Sequence, residues 1–342
     1  MQGSDPASDR PPTLEEVARR AGVARTTASR VINGSALVSE ATRAAVQRAV
    51  DELGYVPNRA ARSLVTRYTD TIALVVSESE ERVFSEPFFA GIVRAVSAAL
   101  ADSHRQLFVT IAQSPAQRER LDRYLTPQHV DGVLLLSLHA GDPLPGRLEE
   151  RGVPAVLGGR PADAQPLSYV DVDNVAGAVL AVEYLLSTGR RRIATITGPH
   201  DMAAGIERLE GYRSALARGG IVPDPSLEAV GDFGESSGVT AACGLLDRHP
   251  DVDAIFAASD PMAIAALKVL AERGRRVPED VAVVGFDDSP SSRHTSPPLT
   301  TVHQPVEAMG REMVRLLSAR IEGLPTALRV TLQPRLVVRE SA

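Results

Sequence analysis

The stretch TLEEVARRAGVARTTASRVINGSALVSEATRAAVQRAVDELGYVPNRAARSL, residues 13–64, decides how this chain of 342 residues is read. In Thr13-Leu14-Glu15-Glu16 a hydroxyl precedes a glutamate by three positions, the capping-box pattern of a helix start. Leu14, Val17, Ala18 and Ala21 recur at helical spacing, and Gly22 supplies a left-handed exit. Val23 and Ala24 complete a tight turn. The spacing then predicts a second helix from about Arg25 to Ile32, apolar on Ala28, Val31 and Ile32 and polar on Arg25, Thr26, Ser29 and Arg30, stopped by Asn33-Gly34. Ser39 caps a third helix with a buried stripe of Val46, Ala49, Val50 and Leu53, closed by Gly54. This is helix-turn-helix geometry, in which the second helix enters the major groove of DNA. Arg25 can give a guanine two hydrogen bonds, and Thr26 can bond a base or touch a thymine methyl. Thr27, Ser29 and Arg30 can hold phosphates or a further base, and Asn33 at the helix end is counted with them. A plain three-helix bundle with solvated arginines is the rival reading. The caps, the turn and the polar face taken together argue against it.

The chain continues Pro57-Asn58-Arg59-Ala60-Ala61-Arg62-Ser63-Leu64. Asn58 can cap a helix of about two turns, too short to be stable alone in water. Ala61 and Leu64 share one face of it, three residues apart. An apolar side chain there can wedge between base pairs in the minor groove, with Arg59 and Arg62 on flanking phosphates. An ordinary interdomain linker is the alternative.

These pieces, with core motifs given below, resemble the lactose-repressor (LacI/GalR) family of bacterial transcription regulators over about residues 13–340. The resemblance implies that Arg25 and Thr26 choose the operator, that Arg30 reads another base and that Leu64 is the minor-groove wedge. Ala24 departs from the pattern, since the family often has a serine there to cap the recognition helix. Loss of that cap costs on the order of 1 kcal/mol.

Net charge is −6, but it is divided. Residues 1–68 hold ten Arg against seven Asp and Glu, a balance of +3, while the remainder carries −9. Basic charge sits with the reading head, and the acidic remainder is repelled by phosphates. A single cysteine, Cys243, excludes a disulfide or a cysteine-based metal site within one chain. The seven histidines show no paired metal spacing, and there is no Walker or dinucleotide glycine loop, so neither metal nor cofactor is expected. With no membrane-length apolar run and no signal-peptide core, a cytoplasmic protein without a membrane partner is expected.

From Thr71 the pattern changes to short apolar runs alternating with amphipathic segments. Strands are expected at 71–76, 107–111, 132–136, 153–157, 193–197, 254–257 and 281–285, and helices at 91–100, 178–187, 209–218 and 262–273. Such alternation means parallel sheets covered on both faces, two of them over this length. The expected fold class is therefore α/β: a small all-α helix-turn-helix domain followed by a two-lobed core like that of periplasmic binding proteins. The expected division is a mobile tail at 1–12, the DNA-binding domain at 13–56, hinge helix and linker at 57–68 and the core at 69–342. Within the core, one lobe takes about 69–172 plus 303–330 and the other about 173–302 plus 331–342.

Ligands of open α/β sheets bind beyond the carboxyl ends of strands. Polar residues there are Ser77, Gln113, Ser137, Arg160, Arg208, Ser259, Asp260 and Asp287. Planar arginines and carboxylates suit a polyhydroxylated ligand, whose hydroxyls both donate and accept. Any one of them can equally be a solvated loop residue or a helix cap. The resemblance narrows the set. Arg208-Leu209-Glu210-Gly211-Tyr212 is similar to the family's effector-arginine segment, and Val284-Gly285-Phe286-Asp287-Asp288 to its effector-aspartate segment. Ser259 and Arg160 fall on cleft loops, Asp260 being read as a cap for the next helix. Val172-Asp173-Asn174 and residues 297–302 resemble chain crossings between lobes. The chain ends at Ala342 without an appended heptad helix, so a homodimer is implied rather than a tetramer. Residues 77–89, SESEERVFSEPFF, with LGGRP at 157–161, resemble regulators of cellobiose and related oligosaccharide use. The expected function is a repressor of sugar-utilisation genes, bound to a near-palindromic operator in double-stranded DNA and released by a di- or oligosaccharide. A purine-type co-repressor on the same fold is the alternative.

Two readings from other classes stay open. Gly234-Glu235-Ser236-Ser237-Gly238 satisfies G-x-S-x-G, and Asp287 and His294 or His303 follow in hydrolase order. An α/β-hydrolase using Ser236 leaves the first 64 residues without a role, and Ser236 or Ser237 more simply caps a helix beginning near Val239. The other is a DNA-bound architectural protein with no ligand.

Overall fold

The computed structural model describes residues 10–32, 37–56, 68–162 and 167–342. Contacts divide it into two compact units, Met1–Thr69 and Asp70–Ala342.

In the first unit α1 is Leu14–Arg20, α2 Arg25–Ile32 and α3 Glu40–Leu53. The capping box forms: Thr13 N donates to Glu16 Oε2 at 2.7 Å and Glu16 N to Thr13 Oγ1 at 3.4 Å. Gly22 takes φ +67° in the turn, while Gly54 at φ +60° ends α3 and lets Tyr55 N return to the Val50 carbonyl at 3.0 Å. Val17, Ala18, Ala28, Val31, Val46 and Ala49 form the buried centre, with Leu14, Ala21, Val23, Ile32, Val50 and Leu53 packed around it. Ala24 supplies only its carbonyl at the start of α2, accepting from Thr27 and Ala28 N at 2.9 and 3.0 Å.

The second unit holds two six-stranded sheets. β1 (Thr71–Val76), β2 (Gln106–Ile111), β3 (Gly132–Leu136), β4 (Ala155–Gly158), β5 (Ser168–Val172) and β11 (Arg329–Leu332) stand in the order β11-β5-β4-β3-β1-β2, all parallel. The other sheet has β6 (Ile193–Thr197), β7 (Glu228–Val230), β8 (Ala254–Ala257), β9 (Ala282–Asp287), β10 (Thr300–His303) and β12 (Arg335–Val337) in the matching order β12-β10-β9-β8-β6-β7. In it only the β12 pairing is antiparallel. Period-two alternation sends Ile72, Leu74 and Val76 to one core and Ala73 and Val75 to the core on the opposite face. That is why these strands read as continuous apolar runs. The same two-faced arrangement divides the second lobe's apolar residues into two clusters.

Three crossings join the lobes. The first is Asp173, between β5 and the helix Asn174–Ser187. The second is Gln304-Pro305, between β10 and the helix Val306–Ile321, which packs on the first sheet. Residues 297–302 therefore lead into the second sheet rather than across, and the crossing follows them. The third is Gln333-Pro334, because β11 remains in the first sheet through Leu332. Other expected bounds move as well. The helix expected at 91–100 starts at Pro87, that at 209–218 starts at Ala203, and that at 178–187 starts at Asn174. In each case the added turns carry the small, polar or aromatic residues that line the cleft.

The helices Asn174–Ser187 and Ala203–Arg218 pack against each other at Gly211, where a Cβ would lie 2.5 Å from the Val175 carbonyl oxygen and 2.7 Å from Ala178 Cβ. Backbone cannot yield there as a side chain can, so Gly211→Ala is expected to lower the unfolding free energy by about 1–3 kcal/mol. Urea unfolding followed by circular dichroism reads it, and an unchanged midpoint would show that the helices separate without cost.

Candidate functional site

On the head, the structure places Arg25, Thr26 and Arg30 on the exposed side of α2, with Thr27 and Ser29 half-buried beside them. Arg25 Nε meets Glu15 Oε1 at 2.8 Å, a pair whose side chains are 67% and 59% exposed. Water screens such a pair, so it offers little resistance to a guanidinium leaving for a base edge. Asn33, Asn58, Arg59, Ala61 and Leu64 lie outside the described residues.

In the core, a cavity of about 740 Å³ opens between the lobes at the carboxyl ends of the strands. Ser137 follows β3, Arg160 follows β4, Ser259 follows β8 and Asp287 ends β9, and all four line it together with Arg208. Strand topology accounts for the convergence, since both sheets reverse direction at the strand pairs β1/β3 and β6/β8. Ser77 is not among the lining residues. It is buried, its N–H donates to the Leu136 carbonyl, and it borders a separate cavity with Arg118, Asp122 and Arg147. Gln113 is exposed and gives its backbone N–H to Gln117.

Arg208 is the centre of the cleft. It is 5% exposed, its Nε donates to Asn174 Oδ1 at 2.9 Å and its Nη1 to the Ala258 carbonyl at 2.6 Å. Asp287 Oδ1 stands 3.9 Å from Nη1. The guanidinium carbon lies 3.7 Å from the Phe286 ring centre and 5.5 Å from that of Phe233, so the apolar environment of the cation is largely aromatic. Asp287 is fixed in turn by Gln304 Nε2 at 2.5 Å and Asp260 N at 3.4 Å. Asp260 does not cap the following helix. Ser259 does, accepting from Met262 N at 3.3 Å while its hydroxyl donates to the Phe233 carbonyl at 2.7 Å. Asp260 is fully buried and accepts from Thr301 Oγ1 and Ser289 N. Burial pushes both carboxyl groups, Asp260 and Asp287, above the usual range; the Asp287 charge adds to the rise of Asp260, and the Arg208 guanidinium draws Asp287 back.

Several cleft contacts go unassigned in the sequence reading, although Arg82 and Glu86 lie within residues 77–89 and Arg160 within 157–161. Arg82 binds Glu86 Oε1 through Nε at 2.6 Å and Glu78 Oε1 through Nη1 at 2.6 Å, and its guanidinium carbon lies 5.9 Å from the Phe233 ring centre. Burial pushes Glu86 up to about 7 against the pull of Arg82, with Asp287 and Glu78 adding to the rise. Arg160 Nη1 crosses to Glu207 Oε1 on the other lobe at 2.9 Å. His139 likewise spans the lobes, with Nδ1 2.8 Å from Asp201 Oδ2 and Nε2 3.4 Å from Glu78 Oε1, contacts that hold it above its ordinary value against partial burial. Ala140 N donates to the Asp201 carbonyl at 2.9 Å beside it. Ser137 (φ 54°), Phe233 (φ 73°), Asp287 (φ 125°) and Asp288 (φ 56°) are four of the five described non-glycine residues with positive φ. Such backbone costs on the order of 1–3 kcal/mol per residue, and it collects here at the cleft.

The hydrolase constellation does not assemble. The helix expected near Val239 begins at Glu235, with Gly234 as its cap. Ser237 Oγ instead donates to Asp232 Oδ1 at 2.6 Å. Ser236 is exposed and makes no hydrogen bond to a histidine among the described residues, and His303 pairs with Asp288. Among the described residues no cluster of His, Cys, Asp and Glu could hold a metal ion, and no helix is long and apolar enough to cross a membrane.

Residues 13–58 match the model for bacterial regulatory proteins of the lacI family, and residues 182–342 match that for a periplasmic binding protein-like domain. The chain is 59% identical over 335 residues to the HTH-type transcriptional regulator CelR of Thermobifida fusca, covering 97% of this chain and 98% of that protein. Among solved structures, a transcriptional regulator CelR–cellobiose complex superposes with a TM-score of 0.78 at 57% identity, covering 97% and 100% of the two chains. A lac repressor dimer bound to operator and an anti-inducer superposes with a TM-score of 0.86 at 28% identity, covering 97% and 99%. The chain belongs to the LacI family and is a DNA-binding transcriptional regulator.

The titrations set a sign for stability. Glu86 (about 7) and Asp171 (about 6) are carboxylic acids raised in the folded state, and Glu207, Asp260 and Asp287 shift the same way. From about pH 4.5 upward the unfolded chain gives up protons that the folded chain still holds, so stability falls as pH rises through the folded values. His139, raised by Glu78 and Asp201, loses its contribution in the same direction. The melting temperature of the ligand-free protein is therefore expected to decline between pH 5 and pH 8, and Glu86→Gln to flatten the slope. A melting temperature that climbs over that window would contradict the assignment.

Proposed function

We propose that this regulator is a repressor that grips a near-palindromic operator as a homodimer and lets go when a small di- or oligosaccharide, cellobiose foremost, fills the cleft. The observation that carries this reading is the chemistry of the cavity. Arg82, Arg160 and Arg208 are each paired with carboxylates, with Phe233 beside Arg82 and Arg208, offering planar donors and acceptors to hydroxyls and an apolar face to a sugar ring. That the 57%-identical structure contains cellobiose agrees with it. Arg208 and Asp287 hold the centre of the ligand, with Arg160, Ser137 and Ser259 around them. The protein is read as binding its ligand without transforming it, as a transcriptional regulator like the relatives it matches.

The remaining parts follow from the same reading. Arg25, Thr26 and Arg30 read bases, Thr27, Ser29 and Asn33 support them, and the segment with Asn58, Arg59, Ala61 and Leu64 supplies a minor-groove wedge. Two heads meet two half-sites, in the symmetry that a dimer imposes. Effector binding favours one separation of the lobes and shifts the population of operator-competent dimers. The site of action is the cytoplasm, where the operator is.

Fluorescence anisotropy with an inverted-repeat duplex selected from a random library tests this. Millimolar cellobiose is expected to weaken operator binding by on the order of tenfold or more. Arg208→Ala should keep the operator affinity and lose the response, and hypoxanthine should have no effect. Tighter operator binding in hypoxanthine would put the purine co-repressor in place of the sugar. Indifference to every saccharide would overturn the reading.

A further inference from the structure

Asp171 is the cleft residue whose hydrogen bonding is incomplete. It is the fourth residue of the wholly buried strand β5, is 3% exposed and lines the cavity. Its Oδ1 accepts from Val172 N at 2.8 Å and from Asn174 Nδ2 at 3.2 Å. Its Oδ2 is buried and accepts no hydrogen bond among the described residues. The nearest cation, Arg160 Nε, stands 3.5 Å away, close enough for charge attraction but without the geometry of a hydrogen bond. From the opposite lobe Glu207 takes the same partners, with Oε1 on Arg160 Nη1 at 2.9 Å and Oε2 on Asn174 Nδ2 at 3.4 Å. Two carboxylates from two lobes thus share one guanidinium and one amide. Burial, with the Glu207 charge behind it, pushes the Asp171 acid up to about 6.

A buried acceptor without a donor is costly, and one that lines a cavity is a place where a ligand hydroxyl gains a hydrogen bond. We propose that Asp171 is a hydroxyl acceptor that makes this cleft select an uncharged saccharide over an acidic one, with Arg160 and Glu207 closing over the contact from the two lobes. A sugar hydroxyl donates to Oδ2 and satisfies it. A carboxylate or phosphate on the ligand has no proton to give and meets Asp171, Glu207, Glu86 and Asp287. Each cleft guanidinium already faces a carboxylate that offsets its charge: Arg82 faces Glu78 and Glu86, Arg160 faces Asp171 and Glu207, and Arg208 faces Asp287. The inference rests on the saccharide reading above and adds the charge class that the site admits.

Calorimetric titration of the full chain and of Asp171→Asn, each with cellobiose and with its acidic analogue cellobiouronate, tests it. The wild type is expected to prefer cellobiose by about tenfold or more, and Asp171→Asn to bind cellobiose about tenfold more weakly while the preference narrows by a similar factor. The ligand-free variant should melt no lower than the wild type, because the substitution removes a buried charge that lacks a full complement of donors. Unchanged cellobiose affinity and unchanged discrimination in the variant would overturn this proposal alone. A variant that melts lower and loses both ligands equally would mark Asp171 as structural and overturn it too. A wild type that binds neither disaccharide would overturn this proposal and the saccharide reading together.

Discussion

The core is organised around one buried cation. Arg208 is removed from water, and its charge is tolerated because Asn174, the Ala258 carbonyl, two aromatic rings and Asp287 surround it. Each of those partners makes a further demand. Asn174 must sit at the first turn after the Asp173 crossing, which joins the lobes. Asp287 must adopt φ 125° to aim its carboxylate and must be held by Gln304, which lies at the second crossing. Gly285 must be glycine because a Cβ would fall 2.4 Å from Asp260 Oδ1. The charge at the centre and the connections between the lobes are therefore one arrangement, and a ligand that rearranges the first acts on the second.

The two lobes also meet through pairs that skirt the centre. Arg160 reaches Glu207 on one side, and His139 with Ala140 reaches Asp201 on another. Partly exposed ion pairs of this kind are individually worth little, about 1 kcal/mol or less. They suit a joint that must open and close, where a hydrophobic seam of equal area would hold it shut. The strained backbone at Ser137, Phe233 and Asp287 fits the same economy: stability is given up where the ligand supplies the missing contacts.

The head and the sheets were legible in the sequence because each signal is local. A capping box, a turn glycine and a 3.6-residue stripe fix α1 to α3 within the residues that form them. Apolar runs such as Ile193–Thr197 and Ala254–Ala257 match their strands end to end because both faces are buried. Cleft residues such as Arg208, Asp287 and Ser259 stood out through motif resemblance. Asp171, Glu207 and Gln304 did not, since their roles depend on partners elsewhere in the chain, and Arg82 and Glu86 lay within residues 77–89 without being singled out. Asp171 in particular looks like part of a strand, and only the approach of Glu207 and Arg160 exposes its unsatisfied oxygen. Ser77 misled for the converse reason: it follows β1 as a ligand residue would, but its N–H is spent on Leu136 and the site lies elsewhere.

Any coupling between cleft and operator is reciprocal, because both equilibria draw on the same conformational free energy. Titrating cellobiose into the free protein, and into the protein saturated with its selected operator duplex, measures that coupling directly. Weaker sugar affinity in the operator complex, by the same factor by which sugar weakens the operator, is the outcome that a cleft-controlled DNA grip requires. Equal sugar affinity in the two states would show that the cleft and the DNA-reading head are independent.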